Sequence, residues 1–396
     1  MARERMSGGT RGWVVGRAAG APVVVSPGWL LGVVLLTYLA EPRVLAFSPE
    51  LGAAAYLVAA GVAGMLFVSV FLHELGHALV ARRHGVVVHE LAVTLLGGHT
   101  RMAAAAPSPG AGVAIAVAGP AVNLALAAAA WAAAQLAAPG SLASLLLGSA
   151  ALTNGFVGVF NLLPGLPLDG GRVLEAVVWK RTGRRGPGTV AAGWVGRILA
   201  VGVILWAVGS PLVAGRQPDI TTVVWAALLG SFLWSGGAEA IRAGRSEQSV
   251  ERVDLAVLTR PARAVPIDGT VASLGDLGGA DRHLPDAFGG LSGLPLGPSA
   301  TEVVLVAVDG SPVAYLDRSA VQAVPPAHRA ATPLHAVAVP LPPGTSVPGW
   351  LTGAAAVQAV GAAARTTPVM AVVDQSGRVV GLLRAQDVIS ALRAGT

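Results

Sequence analysis

His73, Glu74 and His77 lie in the run Phe71-Leu72-His73-Glu74-Leu75-Gly76-His77, inside a long apolar segment. The histidines stand four residues apart, so on a helix they share one face, about a turn from each other. At that spacing two imidazole nitrogens can hold one zinc ion, with the intervening carboxylate beside the water to be activated. A charge at the centre of a membrane helix costs about 2.5–3.5 kcal/mol, so such a cluster in hydrocarbon marks a site of use. A zinc hydrolase needs a third protein ligand and one open position. Cysteine is absent, which excludes thiolate ligands and disulfides. The third ligand must be His, Asp or Glu at similar depth. His84, His89 and His99 follow closely, and Asp169 stands in Asn161-Leu162-Leu163-Pro164-Gly165-Leu166-Pro167-Leu168-Asp169-Gly170-Gly171-Arg172. That run ends a charge-free segment, and its prolines remove backbone donors and break the helix. The broken end would bend Asp169 back toward the pair, which favours it, while the Asn161 amide would cap freed backbone or bind a substrate carbonyl.

A membrane domain must position these groups. The 396 residues are 54% hydrophobic and only 12% charged, about half the charge of a soluble domain. Six apolar segments stand out, roughly 26–40, 55–81, 111–137, 143–163, 196–214 and 220–240. The first is short for a span, as if tilted or interfacial. No small-x-small cleavage site follows it, so it reads as an uncleaved first span. Arg3, Arg5, Arg11 and Arg17, then Arg82, Arg83 and Arg101, then Arg172, Lys180, Arg181, Arg184 and Arg185 all fall on one side, against Arg43 and Arg216 on the other. Six spans with both termini cytoplasmic, in the plasma membrane, fit this bias. The net charge of +6 is then positive-inside bias, and no basic stripe with interleaved aromatics suggests nucleic acid.

Between the second and third segments, Val86–Val88 and Leu91–Leu95 are expected to form a short hairpin, an edge to which a substrate could add as a strand. After about Gly244 charge returns, and two weak repeats of strand, turn, strand and helix follow. One starts at Val303 and continues through Pro312–Leu316 and from Asp317 onward. The other runs from Val369 through Arg378–Leu383 to a helix at Gln386–Arg393. Stretches 288–300 and 340–348 read as Gly/Pro-rich loops. The expected organisation is an α-helical integral membrane domain over 1–244, then a soluble α/β pair divided as 245–325 and 326–396.

These residues carry a resemblance. The HExxH run, Gly119-Pro120-Ala121-Val122-Asn123, the stretch Asn161 to Gly170 and the opening Val25-Ser26-Pro27 resemble, in order and spacing, the site-2 protease family of intramembrane zinc metalloproteases. The C-terminal repeats resemble a pair of cystathionine-β-synthase-like (CBS) domains. The resemblance implies one zinc ion per chain on His73, His77 and Asp169, with Glu74 as catalytic base. It also implies substrate or oxyanion contacts from Asn123 and Asn161, although interhelical hydrogen bonding is a simpler role for Asn123. The implied substrates are single-span membrane proteins such as signalling or anti-sigma factors, in the lipid bilayer. The CBS pair would regulate or gate, and would support a homodimer. An adenine nucleotide would meet a Ser/Thr-x-x-Asp pattern there. Asp387 matches the acid, but Arg384 replaces Ser/Thr, and in the first repeat Asp317 and Ala320 replace both. Two other readings are a catalytically silent scaffold or receptor, against which the intact Glu74 speaks, and a metal transporter with a CBS sensor. Transporters often repeat their halves, and no such symmetry is visible here.

Overall fold

The computed structural model describes residues 10–94, 97–278 and 302–394. Arg3, Arg5, Leu95 and the expected loop 288–300 lie outside them. The chain forms two compact units, residues 1–244 and 245–396.

In chain order, the first unit begins with β1 (Trp13–Ala18), β2 (Ala21–Val25), α1 (Gly28–Phe47), α2 (Ala55–Arg83), β3 (Val88–Thr94) and β4 (Gly97–Met102). It continues with α3 (Pro109–Ala134), α4 (Leu142–Asn161), α5 (Asp169–Thr182), α6 (Arg185–Val213) and α7 (Ile220–Glu251). All but α5 are long and apolar enough to cross a bilayer, which makes this a multi-pass membrane protein. Their outer faces carry exposed Leu30, Leu57, Leu152, Leu205 and Trp206, as a lipid solvent allows. Their contacts use small residues such as Ala59, Ala63, Ala116, Ala192 and Ala200, which let backbones approach.

Two expectations are corrected. α1 is a full span: 20 residues make about 30 Å. It runs on past residue 40, through Pro42, because membrane helices tolerate proline. The hairpin exists with a different register. Val88–Thr94 is one strand, pairing antiparallel with Gly97–Met102, and no turn falls between Val88 and Leu91. β3 is almost wholly buried, so it lacks the alternation that marks a half-exposed strand. β4 is polar because it faces the site, and it reads as loop. Strands β1 and β2 complete a four-stranded sheet in the order β1-β2-β3-β4, with β2 parallel to β3. Their tight turn at Ala19-Gly20 needs positive φ at both residues, which glycine tolerates and alanine does not favour. β4 is therefore an edge strand.

The second unit contains α8 (Leu255–Leu258), β5 (Arg260–Pro266), β6 (Glu302–Val306), β7 (Pro312–Leu316), α9 (Arg318–Ala323), β8 (Ala338–Pro340) and β9 (Val347–Pro348). It ends with α10 (Gly353–Ala363), β10 (Val369–Val373), β11 (Val379–Arg384) and α11 (Ala385–Ala394). Both expected strand–turn–strand–helix repeats are present, as β6-β7-α9 and β10-β11-α11. They share one seven-stranded sheet, in the order β8-β7-β6-β5-β11-β10-β9. The division expected at 325 does not follow the packing. Leu334 and Val337 belong to the core built by Leu305, Ala314 and Leu316, and β8 pairs with β7. The stretch 340–348 is likewise not all loop, since Val347–Pro348 pairs with β10.

Candidate metal centre and active site

His73, Glu74 and His77 are buried in the C-terminal half of α2. The helical repeat turns both imidazoles toward α3, with ring centroids 4.7 Å apart. α3 meets them at Gly119. A Cβ there would stand 2.3 Å from His77 Nε2 and 2.6 Å from His73 Nε2, so only glycine leaves the space open.

Each ring is held by its Nδ1. His77 Nδ1 donates to the Ile115 carbonyl at 2.6 Å, and His73 Nδ1 to Asn123 Oδ1 at 2.5 Å. The Asn123 amide nitrogen in turn donates to Ser69 Oγ at 2.8 Å and Asn154 Oδ1 at 3.1 Å. The oxygen facing His73 is thus the acceptor, as is the Ile115 carbonyl. The protons belong on Nδ1, and both Nε2 atoms present lone pairs.

The chain leaves α4 at Asn161, turns through residues 162–168 and starts α5 at Asp169. Neighbouring helices clamp this loop. Leu166 N donates to the Ala192 carbonyl of α6 at 3.0 Å. Gly196 lies so close to the Leu166 carbonyl that a Cβ would stand 1.9 Å from it, and a Cβ at Gly236 of α7 would stand 2.6 Å from the Pro167 ring. The loop brings Asp169 Oδ2 to 3.1 Å from His73 Nε2 and 3.3 Å from His77 Nε2, and the two Nε2 atoms are 3.1 Å apart.

This arrangement fits a zinc ion. Two lone pairs and a carboxylate oxygen at such separations repel one another unless a cation stands between them. A tetrahedron whose vertices are about 2.0–2.1 Å from its centre has edges of about 3.3 Å. Among the described residues these three form the metal-ligand cluster. His84 and His89 are exposed on the surface, and His99 instead faces Glu90 at 3.8 Å.

Glu74 is set by β4. Thr100 Oγ1 donates to Glu74 Oε2 at 2.7 Å. A Cβ at Gly98 would stand 2.6 Å from Glu74 Cγ, so glycine lets the strand approach the carboxylate. Behind this strand, Glu90 of β3 accepts from Thr10 Oγ1 at 2.6 Å and from Arg101 at 3.2 Å. Burial pushes the Glu90 carboxyl up, but the Thr10 hydrogen bonds and the Arg101 and His99 charges outweigh it and hold it below its ordinary value. The site opens into a cavity of about 680 Å³ bordered by β4, Asp169, Arg172 and Glu175. Glu175 is buried and ion-paired to Arg185.

The structure also places the other expected site residues. Asn123 is fully buried behind His73 and hydrogen-bonds across helices, the simpler of the two roles the sequence allowed it. Asp387 forms an ion pair with Arg260 through both carboxylate oxygens, at 3.2 and 3.3 Å, and Asp317 caps α9 through Ser319. Asn161, half-buried at the end of α4, has no side-chain hydrogen bond among the described residues. Ser69, Thr100 and Asn154 carry no motif and are placed only by the fold. The one available sign was that Asn154 precedes Asn161 by two helical turns in a segment without charge. Truncating the support behind a metal-binding histidine costs about 10–100-fold in metal affinity. Asn123→Ala is expected to lose zinc to a chelator at correspondingly lower concentration, and Asn154→Ala to shift it in the same direction by less. Unchanged retention in both would mean that the amide chain does not position His73.

The membrane unit is similar in sequence to known proteins. The profile of Peptidase family M50 matches residues 61–143 and 132–205. A Synechocystis sp. protein named as a zinc metalloprotease is 35% identical over 243 residues, covering 60% of this chain and 62% of its own length. Rip3 of Mycobacterium tuberculosis, also named as a zinc metalloprotease, is 37% identical over 188 residues, covering 46% of this chain and 47% of its own. The solved Site-2 Protease from Methanocaldococcus jannaschii is 26% identical and covers 58% of this chain and 95% of that one, with a TM-score of 0.42. The chain thus spans about half to three-fifths of the two curated relatives. The matched span holds the HExxH turn, Gly119, Asn123 and Asp169, and over that span the membrane unit is similar to Peptidase family M50.

Proposed function

We propose that the protein is an intramembrane zinc endopeptidase that cleaves transmembrane segments of single-span proteins, such as signalling or anti-sigma factors. The observation that carries this reading is the convergence of His73, His77 and Asp169 from separate elements, with Glu74 beside them at a cavity bounded by an edge strand. Zinc held by those three residues would supply a Lewis acid for the scissile carbonyl and lower the pKa of water. Glu74 takes the proton of the attacking water and returns it to the leaving amine. Thr100 holds one carboxylate oxygen, which leaves the other for the water.

A transmembrane helix hides its peptide bonds in internal hydrogen bonds, so the substrate must unwind locally. Unwound backbone in a membrane needs new partners. The outer edge of β4 offers them by strand addition, alongside Glu74. Asn161 is free to bind a substrate carbonyl. The arginine distribution supports a plasma-membrane protein with both termini cytoplasmic. The CBS-like unit then acts as a cytoplasmic regulatory or gating module and a dimer contact. The pairing of Asp387 and the capping role of Asp317 weigh against a ribose contact at either position.

The test is cleavage of a reconstituted single-span substrate, with fragments located by mass spectrometry. The cut is expected inside the apolar segment, and faster when Gly or Pro lies near it. A cut confined to the soluble flanks, or equal rates for an unbroken Leu/Ala helix, would contradict the reading.

A further inference from the structure

Arg197 lies on α6, a membrane-spanning helix, yet has no hydrogen bond or ion pair among the described residues, and its Nε is buried without an acceptor. Two tryptophans flank it instead. Its guanidinium carbon is 5.2 Å from the Trp194 ring centroid and 4.6 Å from that of Trp234 on α7. Both rings are about half exposed, at 46% and 48%, on the face where Ile198 also points outward. Each ring offers its π face to the cation. A ring carbon face supplies no lone-pair acceptor for the five guanidinium N–H donors.

Depth narrows the choice of partner. From Arg197 to the end of α6 are 16 uncharged residues, about 24 Å of helix. From Trp234 back to the start of α7 are 14 residues, about 21 Å. The hydrocarbon layer is about 30 Å thick. With the far ends of both helices at one boundary, the three side chains lie within about 6–9 Å of the other. Arginine at that depth snorkels toward headgroups, and tryptophan favours the same level.

We propose that Arg197, between Trp194 and Trp234, binds the phosphodiester of an anionic phospholipid. The planar fork of donors matches two phosphate oxygens. The location favours lipid over a substrate side chain, because this face is the outer surface of the α6–α7 pair and none of the three residues borders the cavity at Glu74. Gly196 and Gly236 of the same two helices clamp the loop that delivers Asp169. A headgroup bound here therefore braces the helix pair directly behind that loop.

The experiment uses the full chain, zinc-loaded, in phosphatidylcholine nanodiscs with and without phosphatidylglycerol. Retained lipids are counted by native mass spectrometry, and thermal unfolding is followed in parallel. The wild type is expected to retain phosphatidylglycerol and to unfold at higher temperature when it is present. Arg197→Gln is expected to bind it about tenfold more weakly and to lose the thermal increment. Trp234→Leu, which keeps the charge, should fall between them and stands as the test if Arg197→Gln does not fold. Wild-type retention of phosphatidylglycerol in these variants would overturn the proposal. So would equal stabilisation by inorganic phosphate in phosphatidylcholine discs, or stabilisation only by an acidic single-span peptide.

Discussion

Glu74→Gln is expected to cut cleavage of a single-span substrate by about 10²–10⁴-fold, the usual contribution of a positioned acid–base group. Zinc content should stay near one per chain, because Glu74 is not among the three converging ligands. Glutamine keeps the shape, and its amide oxygen can still accept from Thr100, so the β4 contact survives. What disappears is the basic oxygen that takes the water's proton. Metal analysis and a reconstituted cleavage assay on the same preparation separate the two effects. Cleavage at the wild-type rate would remove Glu74 from the chemistry. A transporter using the same cluster would keep its flux in this variant.

Asp169→Ala is expected to empty the centre. It removes one of three ligands and leaves two imidazole nitrogens 3.1 Å apart with no third ligand to close the site. The loss of zinc affinity should exceed the about 10–100-fold typical of a residue that only supports a ligand. Chelator competition followed by metal analysis measures it. Asp169→Asn separates charge from shape, since the carboxamide keeps an oxygen but not the anion. Full occupancy in Asp169→Ala would mean that another group closes the site, and the hydrolase reading would then have to be rebuilt around that group.

Much of the centre was legible because its signals are local. HExxH puts two histidines on one helical face whatever surrounds the helix. A charge-free segment followed by two prolines can only end there. The repeats β6-β7-α9 and β10-β11-α11 were likewise visible, because each carries its own turn: Asp309 and Asp374 accept from Ser311 and Ser376 within tight loops. Elements defined by distant partners were not legible. β4 reads as a polar loop until α2 supplies the neighbour that its Gly98 and Thr100 are shaped to meet. β1 and β2 form a sheet only because β3, more than sixty residues later, pairs with β2.

The amino-acid sequence by itself determined a six-span membrane domain, a histidine pair with its carboxylate, and a charged C-terminal unit of strand–helix repeats. Each follows from short-range periodicity and from the high cost of charge in hydrocarbon. Only the tertiary structure decided which way the amides work. Asn123, for which the sequence left a substrate contact and an interhelical bond both open, lies behind His73 because Ser69 and Asn154 on two other helices take its donors and turn its oxygen to the ring. That choice rests on hydrogen-bond satisfaction among groups 31 to 54 residues apart, which no local pattern encodes.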